Sequence, residues 1–395
     1  VQAHPATLEP CPDIATHWDV SEDGLTYTFH LRPSVWSDGV PLTAHDFVYS
    51  FRRLVDPKTA SKYASNGHLV KGGAAITAGE APPESLAVRA IDEVTLEVTF
   101  EDPVPYAMSM LTFYSFMPIP RHLMESLEAR GVDQALWTRP EHVVCNGPYK
   151  MTEWRFRQHM MFDRNPRYWD SGNVRTDRVR LSMVESETTA LAMYATGEFD
   201  WPGHNSALPF EFMDYVAGFK DFSHHTEWRS YFYWINTTRP PLDNPLLRRA
   251  LSLAIDRESL VKHITRGGQT PTATLAPEDM AGYRGPAIAL FDPDAARRLL
   301  AEAGYAKGAD VPPITLSYNT SEGHKQVAEA IQQMWKKELG ISVELENLEW
   351  NVFLDKAART DFQICRMGWS ADYGDPFNFL EILSSASGNN HSNWK

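Results

Sequence analysis

A strand–helix–strand pattern between residues 314 and 345 constrains the fold of this chain more than any other feature. The apolar run 314–318 predicts a strand, Ser321 can cap the start of a helix, and Gly340 can end it. The apolar side chains of the intervening segment fall on one helix face: Val327, Ile331, Met334 and Trp335. Residues 341–345 predict a second strand, and a crossover between neighbouring parallel strands is right-handed. The pattern therefore predicts an α/β lobe whose ligand site lies at the strand ends.

Helix and strand signals also alternate through the rest of the chain. Residues 26–31 and 95–100 alternate as strands, while Thr43 and Asp46 match a capping box at a helix start. A short helix is predicted over residues 351–358. With 395 residues and 44.7 kDa, the chain is long enough for two or three domains that each bury a sizeable core.

The charge balance argues against two classes of partner. Lys and Arg number 37 against 51 Asp and Glu, which gives a formal net charge of −14 at pH 7. Such a surface repels a nucleic-acid backbone and an anionic membrane. No apolar run approaches the roughly 18 residues that cross a bilayer, and no signal segment opens the chain. We therefore expect no nucleic acid among the partners.

Motifs for metal, cofactor or catalytic chemistry are absent from the sequence. Cys11, Cys145 and Cys365 match no zinc or redox spacing, so we interpret them as buried or incidental thiols. The chain holds no phosphate loop, dinucleotide fingerprint or His-Glu-x-x-His motif. The adjacent His224 and His225 would point to opposite sides of a strand. We predict no catalytic residue, no metal and no cofactor, with a hydrolase built from scattered carboxylates as the enzyme alternative.

A second apolar run, 362–369, delivers charged side chains to a loop. The run predicts a buried strand, and the Gly, Asp and Pro residues of 372–376 are typical of a turn. Arg366 and Asp372 are therefore predicted at or beside a strand end. An arginine fork can grip a carboxylate, and an aspartate can pair with an amine. This combination is the chemistry of a clamp for a zwitterion.

Several sequence blocks, in a fixed order along nearly the whole chain, resemble those of one protein family. They are Trp36-Ser37-Asp38-Gly39, Thr43-Ala44-His45-Asp46-Phe47, Asn146-Gly147-Pro148-Tyr149-Lys150, Arg164-Asn165-Pro166, Tyr318-Asn319-Thr320-Ser321 and Gly368-Trp369 through Pro376. Each block alone is a weak pattern, but their order and spacing make a chance match improbable. The chain resembles the oligopeptide-binding proteins, family 5 extracellular solute-binding proteins that serve as receptors of bacterial ABC importers.

The resemblance implies an α/β, bilobal periplasmic-binding-protein-like fold of type II, in the extended three-domain class. The ligand would lie in the cleft between the lobes. Residues 1–145 would form a nested small domain, residues 146–236 part of lobe one, and residues 237–395 lobe two. Family members carry further strands before and after this span, so we expect the sequence to be incomplete at both ends. A bare apolar sheet edge would otherwise favour aggregation.

The resemblance also implies roles for individual residues. Asp372 would bind the α-amino group of a peptide, and Arg366 and His324 would meet peptide carboxylates. A buried ammonium needs such a counter-charge, because an unpaired buried ion is costly. The other implied ligand-binding residues are Trp350 and Trp369 in side-chain pockets, Tyr63 and Asn66 at the peptide backbone, and Ser370 and Leu354. Ser370 stands where some members have a disulfide cysteine, so that bridge is excluded here.

The function implied by the resemblance is capture of short oligopeptides and their delivery to the permease subunits of an ABC importer. Main-chain hydrogen bonds would hold an extended peptide, and hydrated pockets would accept varied side chains. Closure of the lobes would trap the ligand. We expect a monomer, periplasmic or lipid-anchored at the cell surface. The alternatives are another solute, such as an oligosaccharide or a dipeptide, and a peptide-holding chaperone or signal receptor.

Overall fold

The chain divides into two compact units. A computed structural model describes residues 1–4, 7–203, 208–225, 227–385 and 387–394. Unit 1 comprises residues 1–183 with residues 372–374, and unit 2 comprises residues 184–371 with residues 375–395. The three domain boundaries implied by the family resemblance stay a prediction.

Unit 1 consists of antiparallel sheets and short helices. Its strands are β1 (Gln2–Ala3), β2 (Pro10–Cys11), β3 (Ala15–Val20), β4 (Thr26–Leu31), β5 (Ser34–Val35), β6 (Pro41–Leu42), β7 (Val88–Ala90), β8 (Thr95–Thr99), β9 (Tyr149–Arg155), β10 (His159–Arg164) and β11 (Arg178–Ser182). Its helices are α1 (Ala44–Val55), α2 (Ala64–Gly67), α3 (Gly73–Thr77), α4 (Ala107–Met110) and α5 (Arg121–Ala129). The two larger sheets have the strand orders β3–β4–β8–β7 and β11–β10–β9.

Helix α1 packs against β7 and β8 and organises the core of unit 1. It begins where predicted, and the Asp46 carboxylate accepts a hydrogen bond from the backbone N–H of Thr43 at 2.9 Å. Phe51 and Val55 lie buried in the same cluster as Phe29 of β4. Both strands predicted in this part of the chain are present as β4 and β8.

Unit 2 contains one mixed four-stranded sheet and most of the longer helices. Its strands are β12 (Arg229–Ile235), β13 (Ile314–Asn319), β14 (Val343–Leu348) and β15 (Ile364–Ser370). Its α-helices are α6 (Glu187–Ala195), α7 (Met213–Val216), α8 (Pro245–Leu253), α9 (Arg257–Ser259), α10 (Pro293–Glu302), α11 (Glu322–Leu339), α12 (Trp350–Ala358) and α13 (Phe377–Leu380). The strand order is β12–β15–β13–β14, with β12 antiparallel to β15 and β13 parallel to both of its neighbours.

The predicted strand–helix–strand unit is confirmed as β13–α11–β14. The two strands are parallel. Ser321 Oγ accepts a hydrogen bond from the backbone N–H of His324 at 3.3 Å, and Gly340 ends the helix with a left-handed φ of 72°. The short helix and the strand predicted after it are present as α12 and β15, with slightly different ends.

Two hydrophobic layers cover the sheet of unit 2, one on each face, because side chains alternate along a strand. The first layer joins α8, α10 and α11 to the sheet and includes Leu251, Leu300, Trp335 and Ile364. The second joins α12 to the sheet and includes Trp234, Phe353, Phe362 and Cys365. The carboxyl ends of the three parallel strands lie at the edge where α11 begins, which is where α/β proteins place ligand sites.

Candidate functional site

A polar cluster lies near the carboxyl end of β15, on the sheet face that α11 covers. Tyr231 of β12 pairs with Gly368 of β15. Because side chains alternate, Arg229 and Tyr231 share one face with Arg366. His324, in the first turn of α11, reaches the same place, with its Nδ1 3.3 Å from the Tyr231 hydroxyl. We call these four residues, Arg229, Tyr231, His324 and Arg366, the arginine cluster.

Arg366 is buried, and its guanidinium group has a hydrogen-bond donor without a partner among the described residues. Its side chain is 6% exposed. Nη1 donates a hydrogen bond to Asn319 Oδ1 at 3.3 Å, and the guanidinium carbon lies 4.7 Å from the ring centroid of Tyr231. The buried Nε has no hydrogen-bond partner among the described residues. An arginine in this state favours an anionic ligand, because a buried charge without a partner is costly.

His324 is held in its neutral form. It is 8% exposed. Burial, followed by the positive charges of Arg366 and Arg229, lowers the pKa of its imidazole from the ordinary 6.5 to about 3. A neutral imidazole has one hydrogen-bond donor and one acceptor. At neutral pH His324 can therefore orient Tyr231 or a ligand, but it adds no positive charge to the cluster.

Arg229 and Tyr231 are site residues that the sequence patterns did not indicate. Burial, followed by the charge of Arg366, lowers the pKa of the Arg229 guanidinium, and Glu227 acts in the opposite direction. Within the described part of unit 2, no carboxylate forms an ion pair with Arg229 or Arg366. Alternation along residues 229–235 could have placed Arg229 and Tyr231 on one face, but it does not show that this strand pairs with β15.

The predicted residues at the end of β15 lie on opposite faces of the sheet. Ser370 is exposed and shares the face of Arg366. Trp369 points to the other face, where it packs, partly buried, against the hydrophobic cluster that includes Phe353 and Cys365, and its Nε1 donates to Asn378 Oδ1 at 2.9 Å. The sheet therefore separates Trp369 from the arginine cluster, while Ser370 lies on the same side as the cluster.

Helix α12 carries the two other residues predicted in unit 2. Trp350 and Leu354 lie about one turn apart on this helix, with 47% and 38% of their surfaces exposed. The Glu349 carboxylate caps the helix by accepting a hydrogen bond from the backbone N–H of Asn351 at 2.9 Å. Trp350 also stacks on the buried Phe353, with ring centroids 5.8 Å apart. These two side chains give the exposed face of the helix an apolar surface.

The remaining predicted residues belong to unit 1. Asp372 lies in the segment 372–374, next to Tyr373, which is buried and stacks on Tyr106 with ring centroids 5.0 Å apart. Tyr63 makes edge contacts with two neighbouring aromatic rings. Asn66 is buried in α2, and its Nδ2 has no hydrogen-bond partner in the described ranges of the chain. Asn66 therefore has a donor that a ligand carbonyl could satisfy.

The described residues also show how the possible metal ligands and the three cysteines are arranged. There, no group of three or more His, Cys, Asp or Glu side chains is arranged to hold a metal ion. Cys11, Cys145 and Cys365 are free thiols. Burial raises the pKa of Cys365 to about 12, so this thiol stays protonated and acts as a packing group. Among the described helices, none is both long and apolar enough to span a bilayer.

The fold is that of an α/β protein, and its unit 2 carries a buried arginine side chain that an anion would stabilise. Comparison with known proteins gives the family. Residues 9–391 match the family described as "Bacterial extracellular solute-binding proteins, family 5 Middle". The chain therefore belongs to the family 5 extracellular solute-binding proteins, which are receptors rather than enzymes.

Individual relatives agree with this assignment. The oligopeptide-binding protein OppA of Bacillus subtilis is 38% identical over 399 residues, which cover 98% of this chain and 72% of that protein. The periplasmic oligopeptide-binding protein OppA of Salmonella typhimurium is 37% identical over 406 residues, which cover 98% of this chain and 71% of that protein. These matches confirm the predicted family.

Solved structures show the same fold. A periplasmic oligopeptide-binding protein of Borrelia burgdorferi has a TM-score of 0.90 at 34% identity, over 96% of this chain and 75% of that one. OppA of Haemophilus influenzae in complex with the peptide RPPGFSPFR has a TM-score of 0.89 at 34% identity, over 97% and 76% of the two chains. The predicted fold class, the α/β bilobal solute-binding fold, is confirmed. The site residues named above stay predictions.

Proposed function

We propose that this protein binds short oligopeptides and delivers them to the permease subunits of an ABC importer. The observation that carries the proposal is the state of Arg366. This side chain is buried, its Nε has no hydrogen-bond partner among the described residues, and no carboxylate of the described part of its unit pairs with it. A peptide supplies the carboxylate that this arginine lacks. A neutral oligosaccharide would leave the guanidinium unpaired and would lose the advantage of the site. The oligopeptide-binding relatives support the same ligand class.

The arginine cluster would hold the carboxyl end of the peptide. Arg366 offers a planar fork that can bind a carboxylate through two parallel hydrogen bonds. The neutral His324 would add a hydrogen bond without a charge. Asp372 would pair with the α-amino group, since a carboxylate is the counter-charge that an ammonium needs.

Groups outside the cluster would hold the rest of the peptide with little regard for its sequence. Trp350 and Leu354 offer exposed apolar surface to peptide side chains, and Trp369 and Ser370 would border the same ligand. The Nδ2 group of Asn66, which has no hydrogen-bond partner among the described residues, would bind the peptide backbone together with Tyr63. Water in the side-chain pockets can adapt to different residues without large loss of affinity. The protein would therefore select the length and the termini of a peptide more strongly than its side chains.

The partners and the location follow from the family. Family 5 proteins are extracellular by description, and the Salmonella relative is named as periplasmic. We place this protein in the periplasm or, through a lipid anchor, at the cell surface. It would act as a monomer that presents its loaded form to the permease subunits. Co-purification with permease subunits from detergent-solubilised membranes would test this partnership.

A crossed titration tests the proposed roles of Arg366 and Asp372. Calorimetry would compare wild type, Arg366→Gln and Asp372→Asn with free, C-amidated and N-acetylated trialanine. We expect Arg366→Gln to weaken the free peptide by about 2–5 kcal/mol and to leave binding of the amide unchanged. Asp372→Asn should weaken the free peptide and leave the N-acetylated peptide unchanged, because the ammonium is then absent.

The control for this titration is Arg359→Gln, which removes an exposed arginine of unit 2 and should alter none of the affinities. Equal weakening of all three peptides by Arg366→Gln or Asp372→Asn would show that the residue does not contact the terminus assigned to it. Mass spectrometry of the ligand released from purified protein gives an independent check. Recovery of carbohydrate alone would contradict the peptide proposal.

A further inference from the structure

Two arginines of the arginine cluster lie side by side across neighbouring strands. Arg229 of β12 pairs with Ser370 of β15, two positions along the ladder from the pair formed by Tyr231 and Gly368. Arg366 Nη2 lies 3.7 Å, and Arg229 Nε 3.9 Å, from the point where a Cβ on Gly368 would stand. The two guanidinium groups therefore flank the same glycine.

The charges of this pair are not balanced inside their own unit. In the described residues of unit 2, neither Arg229 nor Arg366 has an ion-pair partner. His324 is neutral at pH 7, so it neither adds to nor offsets the charge of the two arginines. Burial and then the charge of Arg366 lower the pKa of Arg229, while the exposed Glu227 acts in the opposite direction. The result is two like charges in a partly desolvated place, an arrangement that an anion stabilises.

The β15 residues next to the two guanidinium groups have small side chains or none. Gly368 has no side chain, and Ser370, the pair partner of Arg229, is short and uncharged. The Ser230 backbone oxygen, 3.3 Å from the position of a Cβ on Gly368, is the nearest atom there. Neither Gly368 nor Ser370 therefore places a bulky side chain against a carboxylate that would bind to the two arginines.

One carboxylate balances one arginine, and a peptide with a neutral last residue brings only one carboxylate to this end. We propose that Arg229 makes the protein selective for peptides whose last residue is acidic, with Arg366 bound to the terminal carboxylate and Arg229 to the side-chain carboxylate. This inference rests on the proposed peptide-binding function and adds a preference to it. Arg229 is then a residue that determines specificity, because it contributes little to peptides that lack the second acid.

The test compares two peptides of nearly equal shape, Ala-Ala-Glu and Ala-Ala-Gln, by titration calorimetry at neutral pH and low salt. We expect wild type to bind Ala-Ala-Glu about tenfold or more tightly than Ala-Ala-Gln, as a desolvated charge pair allows. Arg229→Gln should remove this preference by weakening Ala-Ala-Glu more than Ala-Ala-Gln. Arg229→Lys should keep part of the preference, since it keeps the charge. Arg359→Gln, at an exposed position, should keep all of it.

Each result decides the question. Equal affinity of wild type for the two peptides would overturn the acidic preference and leave the proposed peptide-binding function intact. A preference that survives in Arg229→Gln would assign it to another residue and would overturn the role of Arg229. Binding of neither peptide would overturn the proposed function and, with it, this inference. If Arg229→Gln does not fold, the ratio measured for wild type and Arg229→Lys still decides.

Discussion

Acidification should destabilise the protein through His324. Burial, with Arg366 and Arg229, lowers the pKa of this imidazole from the ordinary 6.5 to about 3. In the unfolded chain the ring takes up a proton as the pH falls below 6.5, whereas in the folded protein it stays neutral until about pH 3. The unfolded state therefore binds more protons in this window, and the stability that is present above pH 6.5 is lost as the pH falls towards 3.

The size of the effect follows from the same two values. Their difference is 6.5 − 3 = 3.5, which at about 1.4 kcal/mol per pH unit sets an upper limit of about 5 kcal/mol. Between pH 7 and pH 5 only the unfolded chain titrates, and the expected loss is about 2 kcal/mol. His324 is 8% exposed, so solvent screening reduces this figure little.

Urea unfolding followed by tryptophan fluorescence at pH 7 and pH 5 would measure this loss. We expect wild type to lose about 2 kcal/mol more than His324→Gln between the two pH values, because glutamine does not titrate. His263→Gln, which removes an exposed histidine of the same unit, should show the wild-type pH dependence. Parallel pH dependence of wild type and His324→Gln would refute the assignment of a neutral, desolvated imidazole.

Two further predictions concern the frame that carries the site. Gly308→Ala should destabilise the protein by about 1–3 kcal/mol in urea unfolding, because its Cβ would overlap the backbone oxygen of Leu339, whereas Gly172→Ala, with open space around it, should have little effect. Burial raises the pKa of Glu187, the hydrogen bond from Ser321 opposes this shift, and the charge of Glu322 adds to it. The stability present below the ordinary pKa of 4.5 is therefore lost as the pH rises. Unfolding midpoints from pH 4 to pH 7 should fall less in Glu187→Gln than in wild type, and a Glu185→Gln control with the same flattening would contradict this.

Local signals were sufficient to predict the strand–helix–strand unit. Ser321 and Gly340 set the ends of α11 through caps that depend on neighbouring residues, and the apolar alternation of β13 marks its buried face. Each of these signals acts within a few residues, so no tertiary information was needed. Arg366, predicted at or beside a strand end, lies inside β15 as the third of its seven residues.

The composition of the site could not be predicted in the same way. β12 and β15 are neighbours in the sheet but far apart in the sequence, and alternation defines the faces of a strand without identifying its neighbour. Arg229 and Tyr231 enter the site only through that pairing. Arg366 and Trp369 were both predicted to bind the ligand, but they stand three positions apart in β15, and this odd spacing places their side chains on opposite faces of the sheet.

The arginine cluster is easier to explain as a binding site than as a stabilising element. Arg229 and Arg366 repel one another, and the N-terminus of α11 directs the positive end of a helix dipole towards His324. Apolar side chains of similar volume would pack there at lower free energy. Such a local conflict is expected where function requires it. Because a ligand that binds only the folded protein stabilises it, the free energy that the cluster costs the empty protein is returned when an anion binds.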